Sequence, residues 1–256
     1  MISQAIRCTV ISLRKNVTFV EIFCCPIINL QLNYLMKRFT AAVLLALGVT
    51  FAGAQNLQVH YDFGEDRSYV TTTLEMFKPD QWGSTFFFVD MDHDTDFGNS
   101  VSFAYMEISR ALKFWDSPWA AQIEYNGGTY VNNAWLAGAQ YTWNNGDFSR
   151  IFTLQGLLKH FSAPEGGDAE TGFQLTGVWT MHMLDGALTF SGFADFWKEE
   201  KNFGPDKDTD FVFLSEPQLW YNFGEHFSAG TEIELANNFT AEGFKVCPTL
   251  AVKWTF

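Results

Sequence analysis

Acidic and aromatic side chains recur on one parity of this chain. Asp62, Glu75, Asp90, Glu107, Glu124, Asp195, Glu216, Glu232 and Glu234 fall within runs where every second residue is apolar. Phe77, Phe86, Phe88, Phe103, Tyr105, Phe193, Trp197 and Trp220 lie on the same side of the alternation. A carboxylate accepts hydrogen bonds from hydroxyl donors. An aromatic face stacks on a planar ring, each contact worth about 1–3 kcal/mol. Together they suit a solute that carries both a ring and hydroxyl groups, such as a nucleoside, held at several weak sites in series so that it both enters and leaves. So acidic a surface disfavours anions, and nucleotides should pass less well than nucleosides.

Two other chemistries have partial signatures. His160 and Ser162 stand two apart near the end of an alternating run, the spacing an outer-membrane phospholipase uses on its lipid face. A triad also needs an orienting third residue and an oxyanion hole. The facing run offers Glu170 and Gln174, but on the other parity. No catalytic residue is assigned, and the protein is read as a non-enzyme. The stretch DMDHDTDFGN spaces Asp90, Asp92, Asp94 and Asp96 two apart, as a calcium loop does. It has Phe97 where such a loop needs glycine and lacks the closing glutamate, so it reads as a solvated loop. His60, His93, His182 and His226 share no metal-ligand spacing, and Cys247 is a lone small residue. Neither a metal nor a cofactor is expected.

Period-2 alternation is what positions these groups, in segments of roughly ten residues. Twelve strands are expected: 56–63, 68–77, 83–92, 100–111, 119–126, 134–143, 149–161, 170–182, 186–197, 211–222, 226–236 and 245–256. One face of each is apolar, as in Trp135/Ala137/Ala139/Tyr141/Trp143 and Phe227/Ala229/Ile233/Leu235; the other is polar, as in Gln58/His60/Asp62 and Thr153/Gln155/Lys159. Tyr and Trp gather near strand ends, where a membrane interface favours them. Links on the starting side include the tight turns NNGD, LDG and FGE, whereas those on the far side include the longer 162–169, 198–210 and 237–244. Short periplasmic turns and long outer loops are the habit of outer-membrane barrels.

A soluble sandwich or a lipocalin-like barrel with its apolar face inside fits similar alternation. The end of the chain, CPTLAVKWTF, decides between them: its strand runs to Phe256, and a terminal Phe is the signal read by the outer-membrane assembly machinery. The expected fold is therefore an all-β transmembrane antiparallel barrel of about twelve strands, closed because hydrocarbon tolerates no open strand edge. The expected location is the outer membrane of a Gram-negative bacterium, with outer-membrane lipid around the barrel.

Residues 1–54 are set apart from the fold. Met36-Lys37-Arg38 is a basic n-region, 39–51 an apolar h-region, and Ala52-Gly53-Ala54 a small-x-small cleavage site. Residues 36–54 are thus expected to be a signal peptide, 1–35 an upstream extension from an early start codon, and 55–256 the barrel. Cys8, Cys24 and Cys25 fall in the removed part, leaving Cys247 without an intramolecular partner. Formal net charge is −13, which excludes a nucleic-acid partner because no basic patch exists to neutralise phosphates.

Several stretches together, LQVHYDFG, TTTLEMFKPDQWGSTFFFVDMD, YMEISRAL and IEYNGG, resemble the nucleoside-specific channel-forming outer-membrane family, and more closely a related uncharacterised Bacteroidetes family. The resemblance spans 55–256. It implies a monomeric twelve-stranded barrel whose narrow pore passes nucleosides. The combined expectation is a passive channel for small, nucleoside-like solutes with an aromatic and acidic lumen. The alternatives are a barrel whose interior is filled, with acids paired to Lys159, Arg110 and Lys253, serving a structural or surface-interaction role, and a lipid hydrolase built on His160 and Ser162.

Overall fold

The computed structural model describes residues 55–65, 67–163, 168–205 and 208–256; the expected signal peptide and upstream extension lie outside the described residues. Thirteen strands are present among the described residues: β1 (Gln55–Asp62), β2 (Val70–Asp80), β3 (Gly83–His93), β4 (Val101–Leu112), β5 (Trp119–Gly128), β6 (Val131–Asn144), β7 (Arg150–Phe161), β8 (Glu170–Met183), β9 (Leu188–Asn202), β10 (Asp208–Ser215), β11 (Gln218–Asn222), β12 (Phe227–Asn237) and β13 (Phe244–Thr255). Every strand pairs antiparallel with its sequence neighbours except β10 and β11, which do not pair with each other, and β13 returns to pair with β1 over seven residue pairs. β10 and β11 both lie between β9 and β12. They are two halves of one wall strand, so the sheet closes as a twelve-strand barrel.

The break falls at Glu216-Pro217, within what the alternation presents as a single strand over 211–222. Proline has no N–H to give to a ladder, and the wall absorbs it locally. Glu216 N donates to Phe193 O at 3.1 Å, and Pro217 O accepts from Ile233 N at 3.0 Å. Gly192 makes room for the kink: its φ is +149°, and a Cβ there would collide with the Glu216 carbonyl and Pro217 Cα.

The links follow the expected rule with three exceptions. The long link expected over 198–210 shortens to 203–207, because β9 and β10 extend into it. β5 and β6 run further outward than their alternation shows and meet in a two-residue turn with Tyr130 at φ 62°. The link from β4 to β5, on the side of the chain ends, is six residues long. The turn after β8 matches its LDG chemistry, with Leu184, Asp185 and Gly186 all at positive φ.

The two barrel faces have opposite chemistry. Outward side chains are apolar and exposed: Leu154 is 67% accessible, Leu158 68% and Leu250 62%. In water each would forgo roughly 1.5–3 kcal/mol of burial; hydrocarbon around the barrel would remove that cost. Aromatic pairs ring this belt at both ends. Trp119–Tyr141, Trp143–Phe152 and Tyr221–Phe223 lie toward the chain ends, with Tyr61–Phe63, Tyr125–Trp135 and Phe196–Phe211 opposite. The inner face holds the buried polar residues Gln58, His60, Gln122, Glu124, Asn126, Lys159 and Gln174.

Candidate functional site: the barrel lumen

Directly opposed residues of an antiparallel pair share a face, so the register carries the inner face strand by strand around the barrel. Glu75 opposes Phe88, Phe88 opposes Glu107, and Asp90 opposes Tyr105. Asp195 opposes Thr176, and Trp220 opposes Gly230. Asp62, Glu75, Phe77, Phe86, Phe88, Asp90, Phe103, Tyr105, Glu107, Glu124, Phe193, Asp195, Trp197, Trp220, Glu232 and Glu234 all point inward by this count, and Glu216 follows the same parity at the strand break. They do not form one site. They divide into three.

The first group lines the β2–β4 wall. Phe86, Phe88 and Tyr105 form an aromatic ladder with centroids 6.0 Å apart at each step. The Tyr105 hydroxyl donates to Glu107 Oε1 at 2.6 Å, Asn56 Nδ2 donates to Glu75 Oε1 at 2.8 Å, and the Thr73 hydroxyl donates to Asp90 Oδ1 at 2.5 Å. These residues point into a closed barrel yet are only half-buried, so accessible space lies beside them. Phe77 sits at the mouth nearest the chain ends and is exposed; Phe103 lies at the other end, opposite Asp92.

The second group faces it from β5 to β10 and is packed. Ala134, Leu136, Leu157, Phe161, Trp197 and Val212 make a buried apolar cluster inside the lumen, joined by Leu214 and by Phe239 of the loop after β12. Lys159 lies over Trp197 with Nζ 4.4 Å from the ring centroid, and Phe239 meets the same indole edge-on at 5.8 Å. Glu124 and Asp195 border this cluster, both buried.

The third group surrounds Trp220, which is fully buried. Lys253 Nζ stands 4.1 Å from its ring centroid, His60 meets it edge-on at 5.9 Å, and its Nε1 donates to Gln218 Oε1 at 2.9 Å. Gln218 Nε2 donates in turn to Glu232 Oε2. Above these, Arg67 of the β1–β2 loop binds Glu234 and Asp62. Burial opposes the guanidinium's charge, but the Glu234 carboxylate and its hydrogen bonds outweigh that and raise the Arg67 pKa above its ordinary value.

Trp197 and Trp220, whose faces the alternation offers for stacking, therefore already carry lysines on their rings. Arg110, expected as a partner for lumen acids, is on the outer face, where it forks onto Asp80 at 2.7 and 2.8 Å. The reason is parity: 110 is out of phase with 107. His160 Nδ1 is bonded to the Thr171 hydroxyl at 2.8 Å, and the backbone N of Ser162 to Asn133 O. No contact joins His160 to Ser162 among the described residues. Asp90 and Asp92 belong to β3, where hydroxyls of Thr73 and Thr71 hold them, while Asp94 turns at φ 52°. Among the described residues no cluster of His, Cys, Asp and Glu is arranged to hold a metal.

Arg67, Phe239 and Asn126 were not picked out by alternation. The first two sit on loops, where parity gives no direction. The excess of inward acids was the one hint that a loop base must enter.

The sequence profile of a family described as a domain of unknown function (DUF5020) matches residues 54–256. The chain belongs to this family. No curated protein matches the sequence. Among solved structures, the DUF5020 barrel is similar to the KdgM porin, with TM-score 0.49 and 12% identity, covering 78% of this chain and 99% of that one. It is also similar to the outer-membrane channel DcaP of Acinetobacter baumannii, with TM-score 0.38 and 9% identity, covering 79% of this chain and 95% of that one.

Proposed function

We propose that this DUF5020 protein is a narrow, passive outer-membrane channel for small solutes that are neutral or positively charged, nucleosides among them. The observation that carries this is the unequal lumen. The β5–β10 wall is packed, but Phe86, Phe88, Asp90, Tyr105 and Glu107 on the β2–β4 wall are half-buried and face accessible space. A ring can stack along the ladder while its hydroxyls reach carboxylates, which supports the nucleoside-like solute that the family resemblance implies. The outward apolar belt with aromatic rims supports residence in the outer membrane.

The buried cluster around Trp197, capped by Phe239, favours a second reading: a filled barrel that acts through its outer loops. Flux separates the two. Refolded 55–256 in liposomes should pass uridine and adenosine faster than sugars or amino acids of similar size, and Phe88→Ala or Tyr105→Ala should slow them. A folded barrel that passes no solute would leave the filled reading.

A further inference from the structure

Three lumen carboxylates are short of positive charge. Glu124 lies within electrostatic reach of Glu107, Asp195 and Lys159, and Asp195 within reach of Glu107 and Lys159. Lys159 is committed elsewhere. Its ammonium donates to Gln174 Oε1 at 2.7 Å and sits over the Trp197 ring. Gln174 Nε2 donates to the Thr176 hydroxyl at 3.0 Å, and Thr176 stands directly opposite Asp195 on the β8–β9 ladder. The one cation among three acids thus reaches Asp195 only through two intermediaries.

Two buried acceptors on these residues and their strand neighbours have no donor at all. They are Asp195 Oδ1 and Asn126 Oδ1, on residues that are 9% and 3% accessible. Asn126 opposes Glu107 across the β4–β5 ladder and stands two residues from Glu124 on one strand face. Buried acceptors left unpaired are rare in folded proteins. What both lack is an N–H or O–H donor, and the surrounding acids call for it to be positive. The arrangement does not suit a metal ion. The Phe86–Phe88–Tyr105 ladder ends at Glu107, and aromatic faces attract organic ammonium groups through their quadrupoles.

We propose that Glu107, Glu124, Asn126 and Asp195 form a binding station for a small primary ammonium compound, reached along the aromatic ladder. It rests on the channel reading for access, but the station is a binding site in its own right. The probes are ethanolamine, its neutral counterpart ethylene glycol and its anionic counterpart glycolate, titrated into the purified full chain in detergent micelles. Trp197, beside Lys159, gives a fluorescence readout. Ethanolamine should give a saturable change and the other two none. Asp195→Asn and Glu124→Gln should each weaken it about tenfold or more, the scale of a lost hydrogen bond to a charged group. Circular dichroism identifies any variant that fails to fold, and the other then carries the test. A flat ethanolamine titration, or equal affinity in a folded variant, overturns the station. Ethanolamine binding without flux of any solute keeps the station and sinks the channel. Neutral-solute flux without ethanolamine binding does the reverse.

Discussion

The guanidinium of Arg67 forks onto both carboxylate oxygens of Glu234, at 3.0 and 2.9 Å, although 167 residues separate them. The same Arg67 Nη1 also donates to Asp62 Oδ2 at 3.1 Å. A loop cation is thereby drawn into the lumen and ties β1 to β12 across the intervening β13. Removing one partner of a mostly buried pair leaves the other charge uncompensated, at about 3–5 kcal/mol. Arg67→Ala should lower the urea midpoint of the barrel in detergent accordingly. Arg67→Lys, which cannot fork, should fall between. A midpoint unchanged by Arg67→Ala would show that the loop does not hold the wall.

Lys253 over Trp220 is a desolvated cation–π contact, worth about 2 kcal/mol. Lys253→Met keeps most of the volume and removes the charge. Expected are a loss of that order and a changed Trp220 emission. Ser228→Ala, which removes a hydroxyl bonded to Asn222, is the control, because it leaves the ring contact in place.

Phe239 closes the apolar cluster from the loop after β12, and Lys201 Nζ holds its carbonyl at 2.8 Å. Phe239→Ala should widen the outer mouth. In planar bilayers single-channel conductance should rise, with solute selectivity retained because the aromatic ladder lies on the other wall. No rise would place the constriction elsewhere.

Glu65 carries the pH prediction. A hydrogen bond from Lys245, at 2.7 Å, holds its carboxyl below the ordinary glutamate value. A depressed pKa means that the contact contributes above the unfolded value and is lost as pH falls through the lower, folded one. Protection of the β1–β2 loop amides, taken against their intrinsic exchange rate at each pH, should therefore fall on acidification below the ordinary glutamate range. Glu65→Gln should already show low protection at neutral pH and lose this acid response.

His160 and Ser162 give a negative prediction. With the imidazole bonded to Thr171, neither His160→Ala nor Ser162→Ala should alter hydrolysis of any phospholipid. A loss of activity in both would restore the enzyme reading.

How much of this was legible beforehand depends on the residue. Alternation placed Glu107 and Tyr105 on the inner face because side-chain direction in a strand repeats every second residue, whatever the neighbours. It could not say that Trp197 and Trp220 would be covered. That depends on which strands face each other across the lumen and how far Lys159 and Lys253 reach. Arg110 was misplaced by one step of phase. The Glu216-Pro217 break had a local signal, a proline inside an apolar run, and only the pairing shows that the halves stay in one wall. Asn126 gave no signal, since its importance is a missing partner rather than a residue type.

The backbone N of Phe256 donates to the carbonyl of Gln55 at 3.0 Å. The barrel is thus a ring in its covalent order as well as in its sheet, save for one gap at this seam. A few linking residues could bridge the gap, and the chain could then be opened at an outer loop without breaking a ladder. Such a circular permutant should refold in detergent, since every strand keeps both neighbours. The instructions for folding would then be distributed around the sheet rather than lodged at either of its ends.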